Sequence, residues 1–354
     1  MNHDREAWRG DTPKDTLRRI ARRVRNAFGI LDDVLNLDRK ERDRAHQRYR
    51  EIQDCLVAAG IAASTFLQGS FARKTMLKPL KDVDVVILLP ASLRYLLDAK
   101  NGPAVAMAML RGPIEAKFAG ARFDVTDCPD KALQVAFDDV TFTFDLVVAF
   151  DSPIAHEVVL LGNRKTGEWR PSNARTLNRL ISTRNVATGG VWVHQGRMFK
   201  SFKREHPVLG QHCGLLFESL LYAAVTKAMA ADRALAAVFA YAATAVLGPV
   251  YDPTGEDDLT AKWSQEIRAA TAAAFADAAK RAQEALDLAA DGHDAAAVGV
   301  WHDILGDPFP VPPAEPVSSM FTNLLGGSIT SAGAAVTSQA GREATRPTRP
   351  WRSS

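Results

Sequence analysis

The sequence predicts an α+β protein of two lobes, a mixed α/β lobe followed by an all-helical one. Three observations predict it. Strand-like runs gather between Thr65 and Phe150. After Pro171 the chain is rich in alanine and leucine and carries helical spacing almost throughout. The 354 residues, 47% of them apolar, exceed one typical domain and suffice for two packed cores.

Taken in order, Pro13 to Gly60 is helical. Leu17, Ile20, Val24, Phe28, Ile30, Leu31 and Val34 recur at helical spacing among arginines, and a second, more charged helix covers Asp38 to Ala59. The run Arg18, Arg19, Arg22, Arg23, Arg25 reads first as a solvated face, with phosphate contact as the alternative. Thr65 to Gln68 is strand-like, and Phe71 to Met76 begins a short helix. A strong strand from Val83 to Leu89 stops at Pro90, and Ala104 to Leu110 reads as helix. Strands follow at Arg122 to Asp127 and Leu133 to Phe137, then the clearest of all, Val140 to Phe150. There Val140, Phe142, Phe144, Leu146, Val148 and Phe150 share one face, and Thr141, Thr143 and Asp145 the other. Helices are expected at Ala174–Asn185, Gly196–Glu205, Leu215–Ala231, Ala234–Leu247 and Ala261–Ala290. From about Ala314 the chain turns to Ser, Thr, Gly, Ala, Pro and Arg without apolar periodicity, the composition of a flexible tail.

Composition narrows the function classes. Net charge +3 and a pI near 8.7 describe a mildly basic protein, which a solvated surface alone explains. Cys55, Cys128 and Cys213 are odd in number and form no CxxC pair, so a disulfide framework is not expected. No apolar run reaches the roughly 18 residues of a membrane span. The N-terminus MNHDREAWRGD is polar, unlike a secretory signal. The expectation is a cytoplasmic protein with no membrane partner.

The acids carry the chemistry. Asp82 and Asp84 lie two apart at a strand entrance, so both point to one face. Two carboxylates ~5 Å apart repel by ~3 kcal/mol at an effective dielectric near 20. Asp145 sits mid-strand between Phe144 and Leu146, where an unpaired acid is costly to bury. Three oxygen ligands on adjacent strands, offered to one or two magnesium ions, account for all three acids. Asp-x-Asp alone also marks a solvated strand entrance, with Lys81 beside it to pair with Asp82. The upstream Gln68-Gly69-Ser70 turn shifts the balance. A glycine lets the backbone approach a phosphate, and Ser70 adds a hydroxyl and an N–H.

The segment QGSFARKTMLKPLKDVDVVILL resembles the signature of the nucleotidyltransferase superfamily that includes polymerase beta. It is especially similar to the bacterial relatives of cyclic GMP–AMP synthase, the CD-NTases or second-messenger oligonucleotide or dinucleotide synthetases. TFTFDLVVAF, with Asp145, falls where that family has its third metal ligand, and GRMFKSFKREHP, with Lys200, resembles its triphosphate-binding helix. LLFESLLYA resembles the helix that follows. The resemblance implies a polymerase-beta-like catalytic lobe over 61–170 and an all-helical lobe over 171–313, with the active site in the cleft between them. Helices within 1–60 would pack on both lobes, and 314–354 would be the tail. It also implies catalysis by Asp82, Asp84 and Asp145 as ligands of two Mg2+ ions, with Mn2+ as the substitute. Gln68, Gly69, Ser70 and Lys200 would hold the triphosphate.

The activity implied is synthesis of a cyclic di- or oligonucleotide messenger from NTPs in anti-phage signalling, with no nucleic acid required. The tail suits regulatory or conjugating protein partners. Two departures stand out. His212, Cys213 and Gly214 replace a serine that family members often carry before the last helix, and the animal enzyme's zinc insertion has no equivalent; His206, His212 and Cys213 read as loop or core residues. Other readings keep the metal site but change the acceptor to tRNA or another molecule, or make the chain a non-catalytic nucleotide-binding protein.

Overall fold

The computed structural model describes residues 13–124 and 132–312. Cys128, the tail from Ala314 and the expected strand beyond Asp124 lie outside the described residues, as do the side chains of Arg18, Arg19 and Arg22.

Two long helices open the chain, α1 (Pro13–Leu35) and α2 (Arg39–Ala58), separated at Asp38. A mixed seven-stranded sheet follows: β1 (Ser64–Leu67), β2 (Asp82–Leu88), β3 (Arg122–Asp124), β4 (Leu133–Ala136), β5 (Thr143–Asp151), β6 (Val159–Asn163) and β7 (Glu168–Ser172). Its main path runs β1-β2-β5-β4-β3, while β6 continues from the far half of β5 and pairs with β7. The β2–β5 pair is parallel and the other ladders are antiparallel.

Strand alternation divides the sheet's two faces. Val83, Val85 and Ile87 of β2 meet Phe144, Leu146, Val148 and Phe150 of β5 in a core that also takes Ala45, Ile52 and Leu56 of α2. This is the apolar face read from the sequence. The opposite face starts with Asp82, Asp84 and Asp145 and becomes apolar further along, at Val86, Leu88 and Ala149. The acids therefore occupy the polar end of an otherwise buried sheet face.

The helical lobe comprises α6 (Ala174–Ala187), α7 (Trp192–Glu205), α8 (Gly214–Ala224), α9 (Ala231–Ala245), α10 (Gln265–Ala290) and α11 (Asp294–Leu305). Its centre is aromatic: Phe199 packs on Phe217 at 4.9 Å and Phe239 at 5.7 Å, and Phe202 packs on Phe239 at 4.7 Å. The same core includes Val24, Phe28 and Leu31 of α1. So α1 belongs to the helical core and α2 to the sheet core.

The elements differ from the sequence reading in several places, among them β5, which begins at Thr143 rather than Val140, and a short helix over Arg111–Lys117 that was not expected. The single helix expected over Leu215–Ala231 ends at Ala224, because Arg184 donates to the carbonyls of Tyr222 and, at 2.8 Å, Val225, capturing the acceptors a continuing helix would need. The strands β6 and β7 were not expected; Pro171 sits in β7, at the sheet edge, where a missing N–H is tolerated. The helix α11 was also missed, although it buries Trp301 fully. Finally, α7 begins at Trp192 rather than Gly196, and α10 at Gln265 rather than Ala261, where the Ser264 hydroxyl accepts from the Ile267 amide.

Candidate active site

The parallel pairing of β2 with β5 sets Asp84 in register with Asp145 and Asp82 with Thr143. Side chains paired in register on neighbouring strands share a face, so three carboxylates from two strands lie on one face of the sheet. None of the three ion-pairs with a described base, so the pairing of Lys81 with Asp82 is not made. Gln134 of β4 stands opposite Asp145 and donates its Nε2 to Oδ1 at 3.0 Å, fixing that carboxylate from the other side.

The acids perturb one another. Burial raises the Asp84 carboxyl to about 6, and the charges of Asp82 and Asp145 push the same way. Burial also raises Asp145, opposed by the Gln134 hydrogen bond and supported by Asp82. Removing the repulsion requires a proton or a cation.

The Gly-Ser turn is built onto these acids. The Gln68 amide donates to the Asp84 carbonyl at 3.0 Å, and the turn continues as a one-turn helix, α3 (Gly69–Ala72), two residues earlier than the sequence suggested. Gly69 has φ +69, and a Cβ there would lie 1.8 Å from Asp84 Oδ2. Its glycine character is thus required by the approach of a carboxylate, where the sequence suggested the approach of a phosphate. Ser70 and Asp82 both line a cavity of about 230 Å3 between the lobes.

The opposite wall is basic. Lys200 and Lys203 of α7, with Arg204 and the helix start at Gly214, complete the cavity together with Lys81. Burial lowers the Lys203 ammonium, and the charges of Lys200, Arg204 and Lys81 add to that direction. Gly214 keeps space for Lys200, since a Cβ there would come within 3.2 Å of its Cε. The cavity is smaller than the about 300–1,000 Å3 of ordinary small-molecule pockets. Its volume and charge suit the phosphate end of a nucleotide.

Glu218 of α8 ties the walls together. It is fully buried and accepts from Thr75 Oγ1 at 2.6 Å, Arg73 Nε at 2.6 Å and Lys200 Nζ at 3.1 Å. Burial alone would raise it, but Arg73 and Lys200 hold it down at about 2. The sequence reading missed Glu218, Gln134, Lys203 and Arg204. A visible signal existed for Glu218, the single acid inside the apolar helix LLFESLLYA. Lys203 stands one helical turn from Lys200. Gln134 is silent in sequence, since only the β4–β5 register brings it to Asp145. His212 fills a core position: it meets Thr271 Oγ1 at 3.0 Å and lies against the Trp263 ring.

The arrangement of sheet lobe and helical lobe is the fold of solved CD-NTases, which are polymerase-beta-like. E. coli MS115-1 CdnC, solved in complex with HORMA-deltaN, superposes with a TM-score of 0.62 at 18% identity, over 83% of this chain and 97% of that one. Bradyrhizobium diazoefficiens CdnG, solved with GTP, gives 0.61 at 12% identity over 74% and 90%. The Vibrio cholerae DncV cyclic AMP-GMP synthase gives 0.53 at 12% over 84% and 92%. Residues 23–185 match the family model of the Second Messenger Oligonucleotide or Dinucleotide Synthetase (SMODS) domain. A comparison with curated proteins finds no match.

Proposed function

We propose that this chain is a divalent-metal-dependent nucleotidyltransferase that builds a cyclic di- or oligonucleotide from NTPs. One observation carries the reading: Asp84 and Asp145 are paired in register on parallel strands, with Asp82 two residues away and Gly69 cleared of a side chain against Asp84. The donor set fits a hard cation such as Mg2+ or Mn2+. It consists of carboxylates only, and Asp84 is raised first by burial and then by the charges of Asp82 and Asp145. Among the described residues no three such side chains are already drawn around a common point, so the fit is one of chemistry and register. Divalent ions bound there would neutralise charge on the triphosphate and on the attacking hydroxyl.

The chain's own residues do the rest. Ser70 and the turn amides bind the terminal phosphates from the sheet lobe. Lys200, assisted by Lys203, binds them from the helical lobe. Gln134 orients Asp145, and Glu218 orients Lys200 and Arg73. Phosphoryl transfer needs positioning and charge stabilisation more than covalent participation, and these contacts supply both. The same reading assigns 61–170 as catalytic core, 171–313 as helical lobe, and the 1–60 helices as their joint support. It gives the enzyme a role in anti-phage signalling and protein partners that regulate it or engage residues 314–354. Among the described residues no helix is long and apolar enough to cross a membrane.

The test is incubation of the purified chain with all four NTPs and Mg2+, without RNA, followed by phosphatase treatment and mass spectrometry. Phosphatase-resistant nucleotides of cyclic mass are expected. Products that appear only when RNA or another acceptor is added would replace messenger synthesis with acceptor modification.

A further inference from the structure

The turn that carries Ser70 is closed by its own amides. Arg73 donates to the Gly69 carbonyl at 3.3 Å, Lys74 to that of Phe71 at 3.1 Å, and Thr75 to that of Ser70 at 2.9 Å. Inside the turn Lys74 has φ +60, a left-handed backbone that a side chain disfavours. At Gly69 the residue type itself supplies such a conformation; at Lys74 it does not. A residue in that region persists only where the surrounding structure holds it there.

The hold comes from the helical lobe. Arg197 of α7 is buried, and it donates Nη1 to the Lys74 carbonyl at 2.9 Å and Nη2 to Asp32 Oδ1 of α1 at 3.0 Å. The other oxygen of Asp32 lies 2.6 Å from His194 Nδ1. Burial would raise the Asp32 carboxyl, yet His194 and Arg197 hold it below its ordinary value, so the acid stays ionised beside the guanidinium. A guanidinium is a planar, rigid fork, so the ion pair with α1 sets where its second N–H group points. Glu218 grips the same turn through the side chains of Arg73 and Thr75. Arg197 grips its backbone.

We infer that Arg197 is a positioning residue for nucleotide binding, a role that rests on the proposed nucleotidyl transfer. It keeps Lys74 left-handed. Through the hydrogen bond from Thr75 to Ser70 it then fixes the direction in which Ser70 and the turn amides meet the terminal phosphates, and Asp32 anchors Arg197 from behind. Without this clamp Lys74 relaxes toward negative φ, and the competent turn becomes a minor state of the folded chain. The apparent affinity for nucleotide falls by the competent fraction, while saturating nucleotide restores the turn. KM therefore rises and kcat is kept. A role in folding alone does the opposite, since it removes active enzyme and lowers kcat at unchanged KM.

Two measurements on the full chain test this. Hydrogen exchange without nucleotide reads the turn directly: in Arg197→Met the peptide spanning residues 69–75 exchanges about tenfold faster, while peptides of β5 keep the wild-type rate. Pyrophosphate release from an equimolar mixture of the four NTPs with Mg2+ reads the consequence: KM rises about tenfold and kcat changes by less than about threefold. Asp32→Asn, which keeps an acceptor for Arg197 and disturbs folding less, moves both readings the same way to a smaller extent. The rise in KM caused by Arg197→Met is smaller in a Lys74→Gly background, because glycine adopts positive φ without a clamp. Unchanged exchange over 69–75, a fall in kcat at unchanged KM, or an equal rise in KM in both backgrounds overturns the positioning role. A wild type that releases no pyrophosphate, in a chain whose turn still responds to Arg197→Met, overturns the proposed reaction and leaves the clamp standing.

Discussion

At the scale of single residues, Asp84 carries the largest tension in the sheet lobe. Its carboxyl is raised from 3.8 to about 6 by burial and by two neighbouring acids. A shift of that size corresponds to about 3 kcal/mol of destabilisation when the group is ionised. Asp84→Asn removes the charge and keeps the shape. We expect turnover to be lost while the thermal midpoint in chelator at pH 7.5 rises by several degrees, at about 2 °C per kcal/mol. A midpoint that falls would show Asp84 to be structural. Gly69 gives the complementary case. Gly69→Ala places a methyl where Asp84 Oδ2 lies, and φ +69 adds strain. Turnover is expected to fall at least a hundredfold, read as product formed per minute at saturating NTP. The three aspartates were legible in the sequence because strand alternation forces them to one face beside apolar partners. Gln134 was not, since a hydrogen bond across β4 and β5 depends on a register that no local pattern encodes.

At the scale of elements, α8 is the joint of the site. It enters the helical core with Leu216, Phe217 and Leu220, yet turns Glu218 back toward the loop after α3. An apolar helix with one central acid is readable; the partners are not, because Arg73 and Thr75 are 145 and 143 residues away in sequence. Elements with long apolar periods, such as β2, β5 and α10, were legible in type and place, though β5 and α10 each begin three or four residues later than the sequence suggests. Those set by a competing contact were not. The end of α8 is decided by Arg184 on α6, and β7 exists only because β6 offers it an edge. Glu218→Gln keeps the volume and removes the charge that Arg73 and Lys200 share. Breaking a buried pair by removing one partner costs about 3–5 kcal/mol. The expected result is a thermal midpoint several degrees lower together with a raised KM for NTP, as Lys200 loses its anchor. Loss of stability with unchanged KM would assign Glu218 to folding alone.

Across the whole molecule, α7 ties the cavity to the first helix. It presents Lys200 and Lys203 to the interlobe cavity and His194 to Asp32 of α1. Arg197, between them, donates to Asp32 on α1 at 3.0 Å and to the Lys74 carbonyl beside the catalytic turn at 2.9 Å. The lobes are therefore coupled by buried charges, and their titration dictates how stability follows pH. Asp84 is raised, so between about 6 and 3.8 the folded chain holds a proton that the unfolded chain has released, and stability rises as pH falls through that window. Glu218 is lowered, so its contribution is complete above 4.5 and is lost only as pH falls toward about 2. In chelator, wild type minus Asp84→Asn should thus become less negative from pH 7 to pH 5, while wild type minus Glu218→Gln stays constant over the same range. A divalent ion competes with the proton on Asp84, and binding stabilises only the folded chain. Mg2+ should therefore raise the thermal midpoint more near pH 8 than at pH 5, where the proton weakens its binding about tenfold, and should not raise it in Asp84→Asn. A midpoint gain from Mg2+ that is equal at pH 5 and pH 8 would place the ion elsewhere than on these three acids.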